Sequence, residues 1–226
     1  GEVQVLRKLR VAFFSTGDEL KEPGSILSEA QIFDSNRYCI LGVLQRLGVN
    51  FLDLGIIPDN PETIESAMRS AADAADVIIT SGGVSVGEAD HVKHILDKIA
   101  HIGFWKVAMK PGKPFTFGHI KQAVFFGLPG NPVSVLATYY QLVQPALYKI
   151  MGTEPPPEMH IKARCLKPLK KVPGRMDFQR GLLSKSQDGE WRVESTQNQD
   201  SHILSSMSQA NCFIVLPEAS ADVATG

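Results

Sequence analysis

Short apolar runs alternate with amphipathic stretches through the first 150 residues or so of the chain. Val11–Ser15 (VAFFS) reads as a buried strand running into the loop TGDEL. Asp34 or Ser35 is placed to cap a helix through about Leu47, with Gly48 as its stop. Phe51–Ile57 reads as the next strand. Asn60 then caps a helix whose first position, Pro61, suits a residue lacking an N–H, and an alanine-rich stretch carries it to Ala75. Val77–Thr80 is a strand before a Gly-Gly loop, and a helix follows from about Ala89 to Ile99. Phe104–Met109 and Ala123–Phe126 are further strands. Pro132 opens a long apolar helix to about Met151, with a kink expected at Pro145.

Strands alternating with helices predict βαβ units: an α/β fold with a mostly parallel sheet and helices on both faces. Ligands of such sheets sit beyond the carboxyl ends of the strands. The loops TGDEL, IPDNP, SGGVSVGEAD and LPGNP all follow strands, so they are expected along one edge. GTEPPPE breaks the pattern with a stiff proline linker. His160–Leu166, Phe178–Leu183, Trp191–Ser195 and Cys212–Leu216 are then short strands between turn signals, and the tail PEASADVATG holds no convincing strand. The division expected is an α/β domain over residues 1–152 and a small β domain, clipped at its end, over 153–226.

Composition narrows the partners. The net charge is −1, from 23 basic and 24 acidic residues, so no global basic field points to nucleic acid. The three cysteines, Cys39, Cys165 and Cys212, are isolated, which argues against a disulfide framework or zinc site and fits a reducing cytoplasm. No apolar run is long enough to span a membrane and no signal peptide is evident, so no membrane partner is expected. The sequence starts at Gly1 without a methionine, which suggests a fragment or a processed product.

The chemistry concentrates in three clusters. SGGVSVGEADH and FGLPGNPV each follow an apolar run and open a helix, a place where backbone N–H groups suit a phosphate. Between them lies MKPGKP. Lys106 and Lys110 are an even number of residues apart and share a face if the strand stays regular. Lysine is a flexible point charge suited to oxyanions. Glu19, Asp59 and Asp90 sit on three separate post-strand loops and are donors of the kind hard magnesium takes, one or two carboxylates plus substrate oxygens, although Asp90 is also placed to cap the helix that follows and Asp59 to belong to the turn before Pro61. Arg175 could offer a bidentate fork to the cleft or pair with Asp177 at the surface. His91 and His94 lack a third ligand and read as solvated or capping residues.

STGDEL, IIPDNPE, SGGVSVGEADH, FWKVAMKPGKPFTFG, FGLPGNPVS and PGRMDFQRG, in that order, resemble the MoeA and gephyrin E-domain family of molybdopterin molybdotransferases across nearly the whole chain. The resemblance implies a MogA-like molybdopterin-binding fold followed by the family's C-terminal β domain. It implies a transferase that inserts molybdenum from molybdate into adenylylated molybdopterin, requires Mg2+ and releases AMP. Catalytic roles fall by resemblance to Glu19, Asp59, Asp90, Lys106, Lys110 and Lys113, with Asp59 and Asp90 on the metal. Cofactor-binding roles fall to Thr16, Gly17, Ser81, Gly82, Gly83 and Ser85, to Pro129, Gly130, Asn131 and Pro132, and to Arg175. The family forms homodimers of four-domain subunits. It works beside a MogA-type adenylyltransferase and the recipient molybdoenzymes. Two N-terminal domains would precede Gly1, and one of them walls the family cleft from the other subunit, so low activity of this stretch alone is expected. The alternatives are the adenylyltransferase itself, which should lack residues 153–226, and a non-catalytic gephyrin-like scaffold.

Overall fold

The structure is a computed structural model that describes residues 1–83 and 91–226. Its main sheet is six-stranded, in the order β4-β1-β5-β9-β8-β6. These strands are β1 (Arg10–Thr16), β4 (Asn50–Ile57), β5 (Val77–Ser81), β6 (Ala100–Lys106), β8 (Pro114–Ile120) and β9 (Ala123–Leu128). β4, β1, β5 and β9 run parallel, β8 pairs antiparallel with β9, and β6 pairs antiparallel with β8 and so runs in the direction of the first four. A two-stranded ribbon, β2 (Leu20–Lys21) with β3 (Ile32–Phe33), lies between β1 and the first helix.

Alternation along β1 sorts the core. Val11 and Phe13 face α1 (Ser35–Leu47) through Ile40 and Leu44, and they also share a cluster with Val135 and Tyr139. Ala12 and Phe14 face the opposite way, against Ile64 and Met68 of α2 (Pro61–Ala74) and Val92 and Leu96 of α3 (His91–Ile99). Helices therefore cover both faces, as the pattern predicts for a buried parallel sheet. The caps match the sequence reading. Asp34 accepts from the Arg37 N–H, Asn60 accepts from the Glu62 and Thr63 N–H groups, and Gly48 closes α1 in the left-handed conformation at φ 75°.

Three expectations are corrected. The run Phe104–Met109 is not one strand: β6 ends at Lys106, and β7 (Met109–Lys110) joins a different sheet. Residues 114–120, given no element in the sequence reading, form β8, which turns into β9 through Lys121 at φ 54°. The helix from Pro132 is interrupted rather than simply kinked. α4 (Pro132–Thr138) passes into a π-helical turn, Tyr139–Val143, and then α5 (Gln144–Ile150). The wider turn ends with the Gln144 N–H on the Tyr139 carbonyl, just before Pro145, which has no N–H to donate.

The second sheet holds β10 (Arg164–Cys165), β12 (Trp191–Ser195), β11 (Met176–Lys185) and β13 (Cys212–Leu216), with β7 added beside β11. A short helix, α6 (Ser205–Gln209), precedes β13. The tail is tied down more than the sequence suggests: Leu169 and Val223 form a bridge, and Asp222 accepts from the Lys171 N–H at 2.8 Å.

Candidate functional site

The parallel register brings the carboxyl ends of β1, β5 and β9 level. Ser15 pairs with Ser81, and Ser81 with Leu128. The first residues after these strands are consequently neighbours at one edge. Gly82 (φ 85°) packs so closely on the Thr16 carbonyl that a Cβ would collide with it. Gly83 (φ 65°) leaves no room for a Cβ between Val92 and the Thr16 hydroxyl, which would lie 2.8 Å away. The Ser81 hydroxyl points inward. It is fully buried, 3.1 Å from the Ser15 hydroxyl, and within 3.5 Å of the Asn36 amide. What the loop presents at Gly82 and Gly83 is therefore backbone. Ser85 and Asp90, and with them the start expected for the third helix, lie outside the described residues.

The acids gather only in part. Asp18 accepts from the Asp59 N–H at 3.1 Å, so the loops after β1 and β4 meet, and both side chains are exposed. Glu19 folds back over Gly17, whose missing Cβ would lie 2.5 Å from its carboxylate. Among the described residues no three acids, histidines or cysteines converge as a metal site.

A cavity of about 590 Å³ opens where the two sheets meet. One wall is the lysine loop, with Lys110, Gly112 and Lys113, together with Asn131 and Ser134 at the start of α4. The other wall comes from the second sheet and its loops, including Lys170, Arg175, Asp177, Arg180 and Ser201. Four contacts fix the walls. β7 pairs with β11 so that Lys110 lies opposite Asp177. The Asn131 amide donates to the Ser201 hydroxyl at 2.9 Å, and the Val133 N–H donates to the Ser201 carbonyl at 3.1 Å. Gly112 (φ 101°) lets the lysine loop press on α4, since a Cβ there would lie 2.5 Å from Thr138. Lys106 stands outside these walls. It ends β6 opposite Pro114, and the break after it removes the shared face expected with Lys110.

Arg180 is the group that sequence reading missed. It is 1% exposed, and burial pulls its guanidinium below the usual arginine range. Its bonds go to neutral acceptors: the Ser206 hydroxyl at 3.1 Å and the carbonyls of Asp200 and Asn198 at 3.1 and 3.3 Å. Among the described residues no carboxylate is bonded to it, and its Nη1 has no acceptor. A buried cation at a cavity wall, with the coulombic attraction of Asp200 but no carboxylate hydrogen-bonded to it among the described residues, is suited to an anion. Its position inside PGRMDFQRG was the available signal. Arg175 is half-buried on the same wall, and the alternative to its cleft role, a pair with Asp177, is not formed; Asp177 instead has Lys110 at 3.8 Å.

The chain is thus an α/β protein with a small β sheet docked at the ligand edge. A family described as a probable molybdopterin binding domain matches residues 12–149, and the MoeA C-terminal region (domain IV) matches residues 162–226. The chain belongs to the family of molybdopterin-binding domains of the MoeA type. It is 47% identical over its whole length to the molybdopterin molybdenumtransferase of Haemophilus influenzae, of which it covers 56%. It is 28% identical to molybdopterin molybdenumtransferase 1 of Mycobacterium tuberculosis, over 96% of this chain and 52% of that protein. The solved molybdopterin biosynthesis MoeA protein from Pyrococcus horikosii superposes with a TM-score of 0.80 at 29% identity, over 97% of this chain and 53% of that one. The chain spans about half the length of these relatives. Among the described residues no helix is long and apolar enough to cross a membrane.

Proposed function

We propose that the chain supplies the oxyanion and pterin sites of a molybdopterin molybdotransferase, which moves molybdenum from molybdate into adenylylated molybdopterin with release of AMP. The observation that carries this reading is the cationic cavity between the two sheets, with a buried Arg180 that has no carboxylate hydrogen-bonded to it among the described residues. Lys110, Lys113 and Arg180 hold a tetrahedral dianion from two walls, and Arg175 reaches the same space. Gly82 and Gly83 offer backbone to the pterin phosphate beside Thr16 and Gly17, and Gly130, Asn131 and Pro132 bound the other side, over the buried Pro129. Lys106 acts from outside the cavity.

Asp59, with Asp18 beside it, fits a magnesium ion, because hard oxygen donors from two adjacent loops at the strand edge match its preference for one or two carboxylates plus substrate oxygens. Bound there, the ion would neutralise the anhydride that AMP leaves from. Glu19 and Asp90 complete this acidic side of the proposal. The two units divide at residues 152 and 153. A homodimer of the longer family chain completes the cleft, so this stretch alone binds substrate but inserts molybdenum poorly. The three unpaired cysteines accord with the cytoplasm.

The test is calorimetry of the purified chain with molybdate, alongside reconstitution of a molybdoenzyme from adenylylated molybdopterin, magnesium and molybdate. Binding that weakens in Lys113→Ala and in Arg180→Lys supports the cavity. Binding indifferent to both would remove it. Turnover equal to that of a four-domain relative would remove the claim that the cleft is completed elsewhere.

A further inference from the structure

The oxyanion cavity carries a charge of the wrong sign. Asp177, at the start of β11, lines it and is 2% exposed. Among the described residues neither carboxylate oxygen has a hydrogen-bond partner. Its ion-pair partner among the described residues is Lys110, whose Nζ lies 3.8 Å from Oδ2, too far for a hydrogen bond. Lys110 is half exposed, so its ammonium can leave the carboxylate without unpacking anything. The main chain fixes the encounter, because Asp177 and Lys110 are register partners in the β7–β11 pairing and the Met176 N–H donates to the Ala108 carbonyl at 2.9 Å. The other carboxylate on the cavity, Asp200, attracts Arg180 electrostatically and meets it by hydrogen bond through its backbone carbonyl. A buried carboxylate without donors is costly unless a cation balances it.

We propose that Asp177 is an internal counter-anion: it holds the Lys110 ammonium while the cavity is empty and competes with an entering oxyanion for it. This rests on the oxyanion reading of the cavity and adds what sets the affinity. A site that hands its anion to a second substrate must release it. A fixed carboxylate beside a half-exposed cation keeps the bound state shallow. Asp177 is a positioning residue in this sense, acting on the ligand through Lys110 and through its own field.

Charge gives the proposal a signature that packing does not have. The energy of an ion in a fixed potential scales with its charge. Removing the carboxylate should therefore favour a dianion by the square of the factor by which it favours a monoanion of the same shape. The probes are molybdate and perrhenate, both tetrahedral, titrated by calorimetry into the purified chain and into Asp177→Asn. The expected result is that Asp177→Asn tightens molybdate by about tenfold and perrhenate by about threefold, with folding confirmed by thermal melting. Asp177→Ser removes the same charge with a smaller group and should give the same ratio if the amide disturbs folding. In a Lys110→Met background the gain should shrink. Weaker molybdate binding in both charge-removing variants, or equal changes for the two anions, would overturn the proposal. An undiminished gain without Lys110 would overturn the competition. Failure of the parent chain to bind molybdate would instead overturn the oxyanion reading, and this inference with it.

Discussion

Asn36 donates its side-chain amide to the backbone carbonyl of Gly130 at 2.7 Å, across 94 positions of sequence. The bond ties the first turn of α1 to the loop that opens α4. The same amide lies within 3.5 Å of the Ser81 hydroxyl, so one side chain braces the loops after β5 and β9 from below. Asn36 is 6% exposed, and its Oδ1 has no partner.

Asn36→Leu should therefore act on ligand binding as well as on stability. It leaves the Gly130 carbonyl unpaired, at a cost of about 1–3 kcal/mol, and frees the LPGNP loop. Denaturant unfolding checks the first effect and molybdopterin titration the second. Unfolding that shifts while pterin affinity stays constant would confine Asn36 to the core.

Gly83 tests the close approach of backbone at the other loop. A side chain there meets the buried Val92 and the Thr16 hydroxyl, in a left-handed conformation that L-residues avoid. Gly83→Val should cost about 2–4 kcal/mol, from backbone strain plus overpacking, and should abolish pterin binding. Gly42→Ala, on the exposed face of α1, is the control, since nothing lies within 4 Å of a Cβ at that position.

Most of the α/β unit was legible because its signals are local. Asp34, Gly48, Asn60 and Pro61 act on backbone groups within a few residues, and the alternation of β1 sorts two helical layers without any knowledge of the partners. The cavity was legible on one side only. Lys110, Lys113 and Asn131 sit in glycine- and proline-rich loops that announce themselves. Arg180 and Asp177 lie in the middle and at the start of a strand, where alternation gives a face but not what covers it. The strand break after Lys106 was invisible for a related reason. β7 exists only because β11, more than 60 residues later, offers an edge to pair with.

Arg180 separates charge from geometry. Arg180→Lys keeps a cation but loses the planar fork that bonds Ser206, Asp200 and Asn198 at once. Molybdate affinity should fall about tenfold, with a loss of stability of about 1–3 kcal/mol from the stranded acceptors. Calorimetry and chemical denaturation on the same preparation separate the two effects.

Asp76 offers a prediction independent of the site. Its carboxylate accepts from Arg7 through both oxygens at 2.6 Å, from the Arg10 N–H at 2.9 Å and from the Arg10 guanidinium at 3.0 Å. The hydrogen bonds from Arg7, together with those from Arg10, hold it well below the usual carboxylate range against a smaller opposing effect of burial. The folded form therefore binds its proton less readily than the unfolded form. The stabilisation is complete above the unfolded-state value, about 3.9, and is lost as the pH falls from there toward the folded-state value. The arginines are largely exposed, so screening limits the effect to about 1 kcal/mol. Asp76→Asn should lower the melting temperature at neutral pH, lower it less at high salt, and converge with the parent chain in acid. Melting curves that stay separated by the same interval from neutrality to strong acid would show that the charge of Asp76 contributes nothing, and that its backbone contact with Arg10 accounts for the whole effect.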